Sequence, residues 1–330
     1  MLFLRAMNDV GSRVIGGRYV LRDVLGAGGM GVVYRANDLE HDREVAVKLL
    51  HPRHRDAKFT AEHLLTEGRV GACVQHPNVV AVFDVGTSNG ELFVVMEHLA
   101  GRLLGELLQC EGPLSLCKAS SIVCQILAGL QALHDMGIVH GDVKTNNVIV
   151  TSSNGVDAIK LIDLDLVRAL DEPESKSATE RIASGTPDYM APEVILGEGS
   201  RPASDIYATG VILYELLTGT TPFGGGTQGE ILQRHLDDEV VPPSLRCSDR
   251  SIPPELERAI MVALEKAPCA RHATARGFAE AIAAATPMLE PPAPPGGHSL
   301  AFSTTAPTAD WQSTDLPARW LASGTHPAKS

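Results

Sequence analysis

The sequence predicts an α+β protein of two lobes, a strand-rich one followed by a mainly helical one. Three observations carry this. Five β-branched runs, 19–25, 32–37, 44–50, 79–85 and 92–97, are each bounded by Gly, Asn, Asp or Pro, the pattern of short strands. One helical stretch, 57–74, interrupts them. Beyond Leu99 the pattern turns helical, apart from a strand pair near 147–163. The first lobe, 17–97, is thus expected to be a five-stranded antiparallel sheet plus one helix. The second, 100–285, is expected to be mainly helical.

The flanks differ from the middle. Residues 1–16 read as a flexible leader, apolar at the start but without a small-residue cleavage site. Residues 286–330 hold 8 Pro and 11 Ser or Thr with no sustained period, so they are expected to form a disordered tail. Both tryptophans, Trp311 and Trp320, lie in that tail. They read either as incidental composition or as a docking motif for a protein partner, since buried Trp is a frequent binding anchor.

Composition removes several functions. Of 330 residues, 44% are hydrophobic, enough for a sizeable core. Lys plus Arg is 28 against 40 Asp plus Glu, a net charge of −12, which disfavours nucleic acid and anionic membrane as partners. The apolar run near 210–217 carries Glu215 and reads as core, so no membrane span is expected. The six cysteines include no C-x-x-C pair, which argues against zinc ribbons and redox motifs. They are expected to be buried free thiols of a reducing, cytoplasmic compartment.

The first chemical motif is Gly26-Ala27-Gly28-Gly29-Met30-Gly31. A G-x-G-x-x-G loop that binds a dinucleotide must open a helix, whereas Val32-Val33-Tyr34 continues as a strand. The loop therefore reads as a hairpin tip. It is either an ordinary glycine hairpin or a cover whose backbone N–H groups approach phosphates closely. Next, Lys48 ends the run Val45-Ala46-Val47. Alternation sets Ala46 and Lys48 on one face of the strand. A lysine there needs an anion or carboxylate to offset its desolvation, unless it reaches solvent.

The strongest constellation is His140-Gly141-Asp142-Val143-Lys144-Thr145-Asn146-Asn147, followed by two strands around Asn154-Gly155, a hairpin dipeptide. Folding about residue 155 sets Asn147 opposite Asp163. An amide oxygen and a carboxylate side by side, with a polyphosphate, suit Mg²⁺, which takes few protein oxygens. Asp142 is then near enough to accept a hydroxyl proton, and Lys144 to neutralise a transferring phosphoryl group.

With these motifs in order, the sequence resembles the Hanks-type protein Ser/Thr kinase family, especially its bacterial members, over about 18–285. The later segments Asp163-Leu164-Asp165, Gly185 to Glu193, Asp205 to Gly210 and Arg271 complete the likeness. It implies a two-lobed protein-kinase-like fold, ATP and Mg²⁺ as cofactors, and a protein substrate with a Ser or Thr acceptor. Gly26, Gly28 and Gly31 would cover the phosphates, and Lys48 would bind them while pairing with Glu67. Asp142 would be the catalytic base, Lys144 the γ-phosphate contact, and Asn147 and Asp163 the Mg²⁺ ligands. Met96 would be the gatekeeper, with Glu97 to Leu99 the hinge that meets adenine. Glu193 would pair with Arg271, and Asp205 would brace the catalytic loop. Lys144 and Thr186 are what Ser/Thr-directed members carry.

Two departures from the family pattern stand out. Gly141 replaces the Arg that grips a phosphorylated activation loop, so dependence on loop phosphorylation is expected to be reduced. Leu164 and Asp165 replace an aromatic residue and Gly after the metal-binding Asp. These departures keep a non-catalytic ATP-binding scaffold open as an alternative. His140-Gly141-Asp142 keeps open a small-molecule phosphotransferase resembling the aminoglycoside and choline kinases.

Overall fold

A computed structural model describes residues 13–28, 31–50, 74–153, 156–163, 168–169, 186–247 and 250–286. The expected two-lobed architecture is present. The first sheet contains β1 (Val14–Ile15), β2 (Tyr19–Ala27), β3 (Gly31–Asp38), β4 (Arg43–Leu50), β5 (Val82–Ser88) and β6 (Glu91–Glu97). Their order is β1-β2-β3-β4-β6-β5, with every pair antiparallel. Alternation explains its core. Val45, Val47 and Leu49 turn to one face of β4, against Tyr19, Leu21, Tyr34, Phe93 and Val95.

Two boundaries shift. The sheet has a sixth strand from inside the expected leader. Val14 pairs with Val20 and Ile15 with Tyr19, and Ile15 is buried. Two residues carry no readable period, so pattern alone misses them. The strand expected at 79–85 begins at Val82, because Val79 bridges Leu161 in parallel instead. The helix expected at 57–74 lies outside the described residues, apart from the buried Val74.

The second lobe follows β7 (Arg102–Leu103). Its elements are α1 (Leu104–Glu111), α2 (Leu116–Asp135), β8 (Ile138–Val139), β9 (Val148–Ser153), β10 (Val156–Leu161), β11 (Arg168–Ala169), α3 (Pro192–Ile195), α4 (Pro202–Thr218), α5 (Gln228–Asp237), α6 (Pro243–Arg246), α7 (Pro254–Ala263) and α8 (Ala275–Ala285). α4 is apolar nearly all round and buried from Ser204 to Tyr214, as a helix at the centre of a lobe must be. Gly219, at φ +80°, stops it in a left-handed cap.

α2 corrects the expectation that no segment approaches a membrane span. By length and composition it is apolar enough to cross one. Here it is a core helix, with Ile122, Ile126, Leu127, Leu130 and Leu133 fully buried against the second lobe. At the other end, α8 closes on Thr286, whose hydroxyl donates to the Ile282 carbonyl at 2.5 Å and which is itself buried. Thr286 is therefore packed as the cap of α8. The rest of the tail, with Trp311 and Trp320, lies outside the described residues. Among the described residues Cys110, Cys117, Cys124 and Cys269 are free thiols, and not all the cysteines are buried. Cys110, Cys117 and Cys269 are exposed, Cys124 is half-buried and Cys247 is buried.

Candidate active site

Lys48 stands on the face of β4 opposite the small core, 8% exposed, as alternation requires. Its ammonium reaches Asp163 Oδ1 at 2.5 Å, across 115 residues of sequence. A carboxylate thus meets the strand lysine, and it comes from the second lobe. Glu67, the expected helix partner, lies outside the described residues. Asp163 adopts φ +65°, a left-handed conformation that non-glycine residues rarely take. Such strain concentrates at functional positions.

The β9–β10 hairpin has a different register from the expected one. Ser153 pairs with Val156 and Val148 with Leu161, so the loop is the two residues 154–155. The fold axis falls between them, not on residue 155. Asn147 therefore faces Ile162, whose amide donates to the Asn147 carbonyl at 2.9 Å. Asp163 lies one residue beyond. One step of register would send a strand side chain to the other face, but the left-handed backbone at Asp163 takes it out of the strand.

The catalytic-loop residues converge on Asp142. Lys144 Nζ donates to Asp142 Oδ2 at 2.7 Å. Asn147 Nδ2 donates to the same oxygen at 2.9 Å and to the Asp142 carbonyl at 2.8 Å. With its amide nitrogen so engaged, Asn147 offers Oδ1 as the atom for a cation. His140 is fully buried beneath them. Its Nδ1 accepts the Asp142 amide at 3.3 Å and its Nε2 lies 3.2 Å from the Ile162 carbonyl, which assigns the proton to Nε2.

Asp205, near the start of α4, braces this loop as expected. Its Oδ2 accepts the His140 amide at 3.0 Å and its Oδ1 the Gly141 amide at 2.9 Å. His134 Nε2 lies 2.8 Å from Oδ2, a partner that the motif did not signal. Gly141 sits at φ +77°, where glycine carries no Cβ penalty. The departure from the family pattern thus falls where the backbone is left-handed.

The glycine loop splits into two kinds of position. A Cβ at Gly26 or Gly28 would meet nothing within 4 Å, so both lie against open space. A Cβ at Gly31 would run into the Leu49 carbonyl. Gly31 is thus required by the close approach of β3 to β4, whatever it does for phosphates. Met96, the expected gatekeeper, pairs with Ala46 and Val82 and packs against the large core. Glu97 accepts Lys160 at 2.5 Å, an ion pair that the sequence did not suggest. Leu99 is half-buried on the same core.

The segment after the glycine at 185 is anchored from below. Arg271 and Glu193 form a bidentate pair at 2.8 and 2.7 Å, fully buried on both sides. Burial pushes the Glu193 carboxyl up, but hydrogen bonds from Arg271 and Ser204 outweigh it and the pKa falls below its ordinary value. Tyr189 joins two elements that sequence reasoning left unconnected. Its hydroxyl donates to Glu215 Oε2 at 2.6 Å and lies 2.9 Å from Thr145 Oγ1, beside Lys144.

These residues fit a magnesium polyphosphate. One carboxylate and one amide oxygen are hard donors, too few to fill an octahedron, which leaves places for phosphate and water. Among the described residues, no group of three or more His, Cys, Asp or Glu forms a metal cage.

The protein kinase domain model matches residues 19–282. The chain is 36% identical over 270 residues to the serine/threonine-protein kinase pkn3 of Myxococcus xanthus, covering 81% of this chain and 49% of that one. It is 36% identical over 263 residues to the serine/threonine-protein kinase PknB of Mycolicibacterium smegmatis, covering 78% and 41%. It thus spans about half or less of the length of these curated relatives. Among solved structures, the PknI kinase domain of Mycobacterium tuberculosis superposes with a TM-score of 0.64 at 24% identity, covering 83% of this chain and 98% of that one. A lysine held to an aspartate across two lobes, a braced catalytic loop and a match over most of the chain lead to one conclusion: the chain belongs to the protein kinase domain family.

Proposed function

We propose that this chain is a Mg²⁺- and ATP-dependent protein Ser/Thr kinase. The observation that carries the reading is the convergence of Lys144 and Asn147 on Asp142, at 2.7 and 2.9 Å, while Lys48 holds Asp163. When bound, Mg²⁺ would neutralise charge on the β- and γ-phosphates. Asp163 and Asn147 Oδ1 would hold it. Lys48 would orient the α- and β-phosphates, and Gly26 and Gly28, with no side chain in the open space beside them, would let the loop lie close over them. Asp142 would accept the proton of a Ser or Thr hydroxyl as its oxygen bonds to the γ-phosphorus and the bond to the ADP oxygen breaks. Lys144 would offset the charge on the moving phosphoryl group. The protein's part is placement and charge rather than covalent chemistry.

The finer reading has several parts. Glu67 would pair with Lys48. Gly141 leaves no guanidinium to grip a loop phosphate, so activity would depend little on activation-loop phosphorylation. The free thiols Cys110, Cys117, Cys124 and Cys269, three of them exposed, suit a reducing cytoplasm, where ATP is also available. The tail carrying Trp311 and Trp320 would dock a protein partner.

The test is phosphosite mapping by mass spectrometry after incubation with Mg-ATP, using protein and aminoglycoside acceptors. The intact chain, Asp142→Asn and a truncation at Pro287 are compared. Transfer to Ser or Thr is expected in the intact chain and should drop at least a hundredfold in Asp142→Asn, a barrier change of about 3 kcal/mol. Equal transfer in Asp142→Asn, or transfer to the aminoglycoside alone, would overturn the proposal.

A further inference from the structure

Behind the hinge, one ammonium joins three separate pieces of chain. Glu97, the last residue of β6, turns Oε1 toward Lys160 Nζ at 2.5 Å and the Ala81 amide at 2.8 Å. Its own amide donates to the Ala81 carbonyl at 2.9 Å. Lys160, on β10, also donates to the Val79 carbonyl at 3.2 Å. The chain at 78–80 meets β10 in an isolated parallel bridge, Val79 beside Leu161. Leu161 N donates to the Asn78 carbonyl and Val80 N to the Leu161 carbonyl, both at 2.9 Å. Asn78 Nδ2 adds a bond to the Ile159 carbonyl at 3.0 Å.

Lys160 therefore ties a strand of the second lobe to the lead-in of β5 and to the start of the hinge. Three residues later the same stretch of chain reaches Asp163. The pair is not a loose surface contact. Its side chains are 25% and 22% exposed, and the carboxylate oxygen is shared with a backbone amide. Residue 97 is held at both its backbone and its side chain, so the segment 98–100 leaves from a fixed end. A binding segment ordered in advance loses less entropy when the ligand arrives.

We propose that Lys160, acting through Glu97, is a positioning residue that holds the hinge ready for adenine, so that the clasp sets nucleotide affinity and not the rate of phosphoryl transfer. The inference rests on the kinase reading for adenine at 97–99. Neither side chain is a catalytic residue. The clasp is separate from the groups that converge on Asp142 and shares no hydrogen bond with them.

The test uses the full chain with Lys160→Met, Glu97→Gln and Lys160→Arg. Binding of a non-hydrolysable ATP analogue is measured by titration, kcat and KM for ATP by assay, and amide exchange at Ala81 and Glu97 by NMR or mass spectrometry. In Lys160→Met and Glu97→Gln, Kd and KM should rise about five- to tenfold, and in Lys160→Met kcat should stay within about twofold. Exchange at Ala81 should quicken, and Lys160→Arg should restore both. Unchanged Kd with unchanged exchange in both variants would overturn the proposal, as would a fall in kcat matching the rise in KM. If Lys160→Met does not fold, Glu97→Gln decides alone. Failure of the wild-type chain to bind the analogue would instead remove the kinase reading itself.

Discussion

Arg271 offers the sharpest measurement of what holds the second lobe together. Its guanidinium has five N–H donors, and five acceptors surround it. Nε meets the Glu265 carbonyl at 2.8 Å. Nη1 meets Glu193 Oε1 and the Ala203 carbonyl, both at 2.8 Å. Nη2 meets Glu193 Oε2 at 2.7 Å and the Lys266 carbonyl at 3.0 Å. The planar group also lies over the Tyr207 ring, 4.7 Å from its centroid. Lysine keeps the charge but has three donors, so at least two buried acceptors lose their partner. At about 1–3 kcal/mol each, Arg271→Lys should cost about 3 kcal/mol. Arg271→Met should cost about 3–5 kcal/mol, because it strands a buried carboxylate. Both tryptophans lie beyond residue 286, so unfolding in urea is best followed by far-UV circular dichroism. A slope of about 2–3 kcal/mol per molar turns the lysine variant's loss into a midpoint shift of about 1 M or more. The sign with pH follows from Glu193. Its folded pKa lies below the ordinary 4.5, so the pair's contribution is present above that value and fades as pH falls through the folded pKa. A loss under about 1 kcal/mol in Arg271→Lys, measured near pH 7, would refute the donor-counting argument.

Other outcomes follow from the same geometry. Gly141→Ala should lower stability by about 1–2 kcal/mol, because Gly141 sits at φ +77°; an unchanged urea midpoint would contradict this. Burial, then the Lys266 charge, lowers the His235 pKa from 6.5 to about 4, with the Asp188 backbone as the weak opposing influence. Its neutral form therefore belongs to the native state, and its contribution to stability is full above about pH 6.5 and declines as pH falls toward 4. Between pH 7 and 5 the wild type should lose about 2 kcal/mol more than His235→Gln, and parallel pH profiles in urea would discount the reasoning. Replacing Ser175, Ser177, Thr179 and Ser184 together by Ala should leave transfer activity within about fivefold, about 1 kcal/mol of barrier. A hundredfold drop would mean that the loop phosphate matters despite Gly141.

Much of the site is legible in residue order because its motifs are local. A strand lysine at Lys48 demanded an anion, and the loop from His140 to Asn147 gathers three polar side chains within six residues. The two-residue hairpin was legible too. Asn154-Gly155 pairs the residues on either side of it, which corrects the fold axis by half a residue and moves Asn147 opposite Ile162. Short or aperiodic features were not legible. β1 is two residues long, and Thr286 joins the core through a single cap.

The amino-acid order alone determined the lobes and the family, and it singled out the side chains proposed to be chemically active. Strand alternation, glycine placement and motif spacing act over a few residues and survive in one dimension. Tertiary structure alone decided who meets whom at long range. It set Lys48 on Asp163, Asp205 under the amides of His140 and Gly141, and Lys160 behind the hinge on Glu97. Each of these joins groups more than 60 residues apart. A buried or half-buried charge must find a partner, but any of several carboxylates would satisfy that need. Only the packing of one lobe on the other selects which one comes within reach.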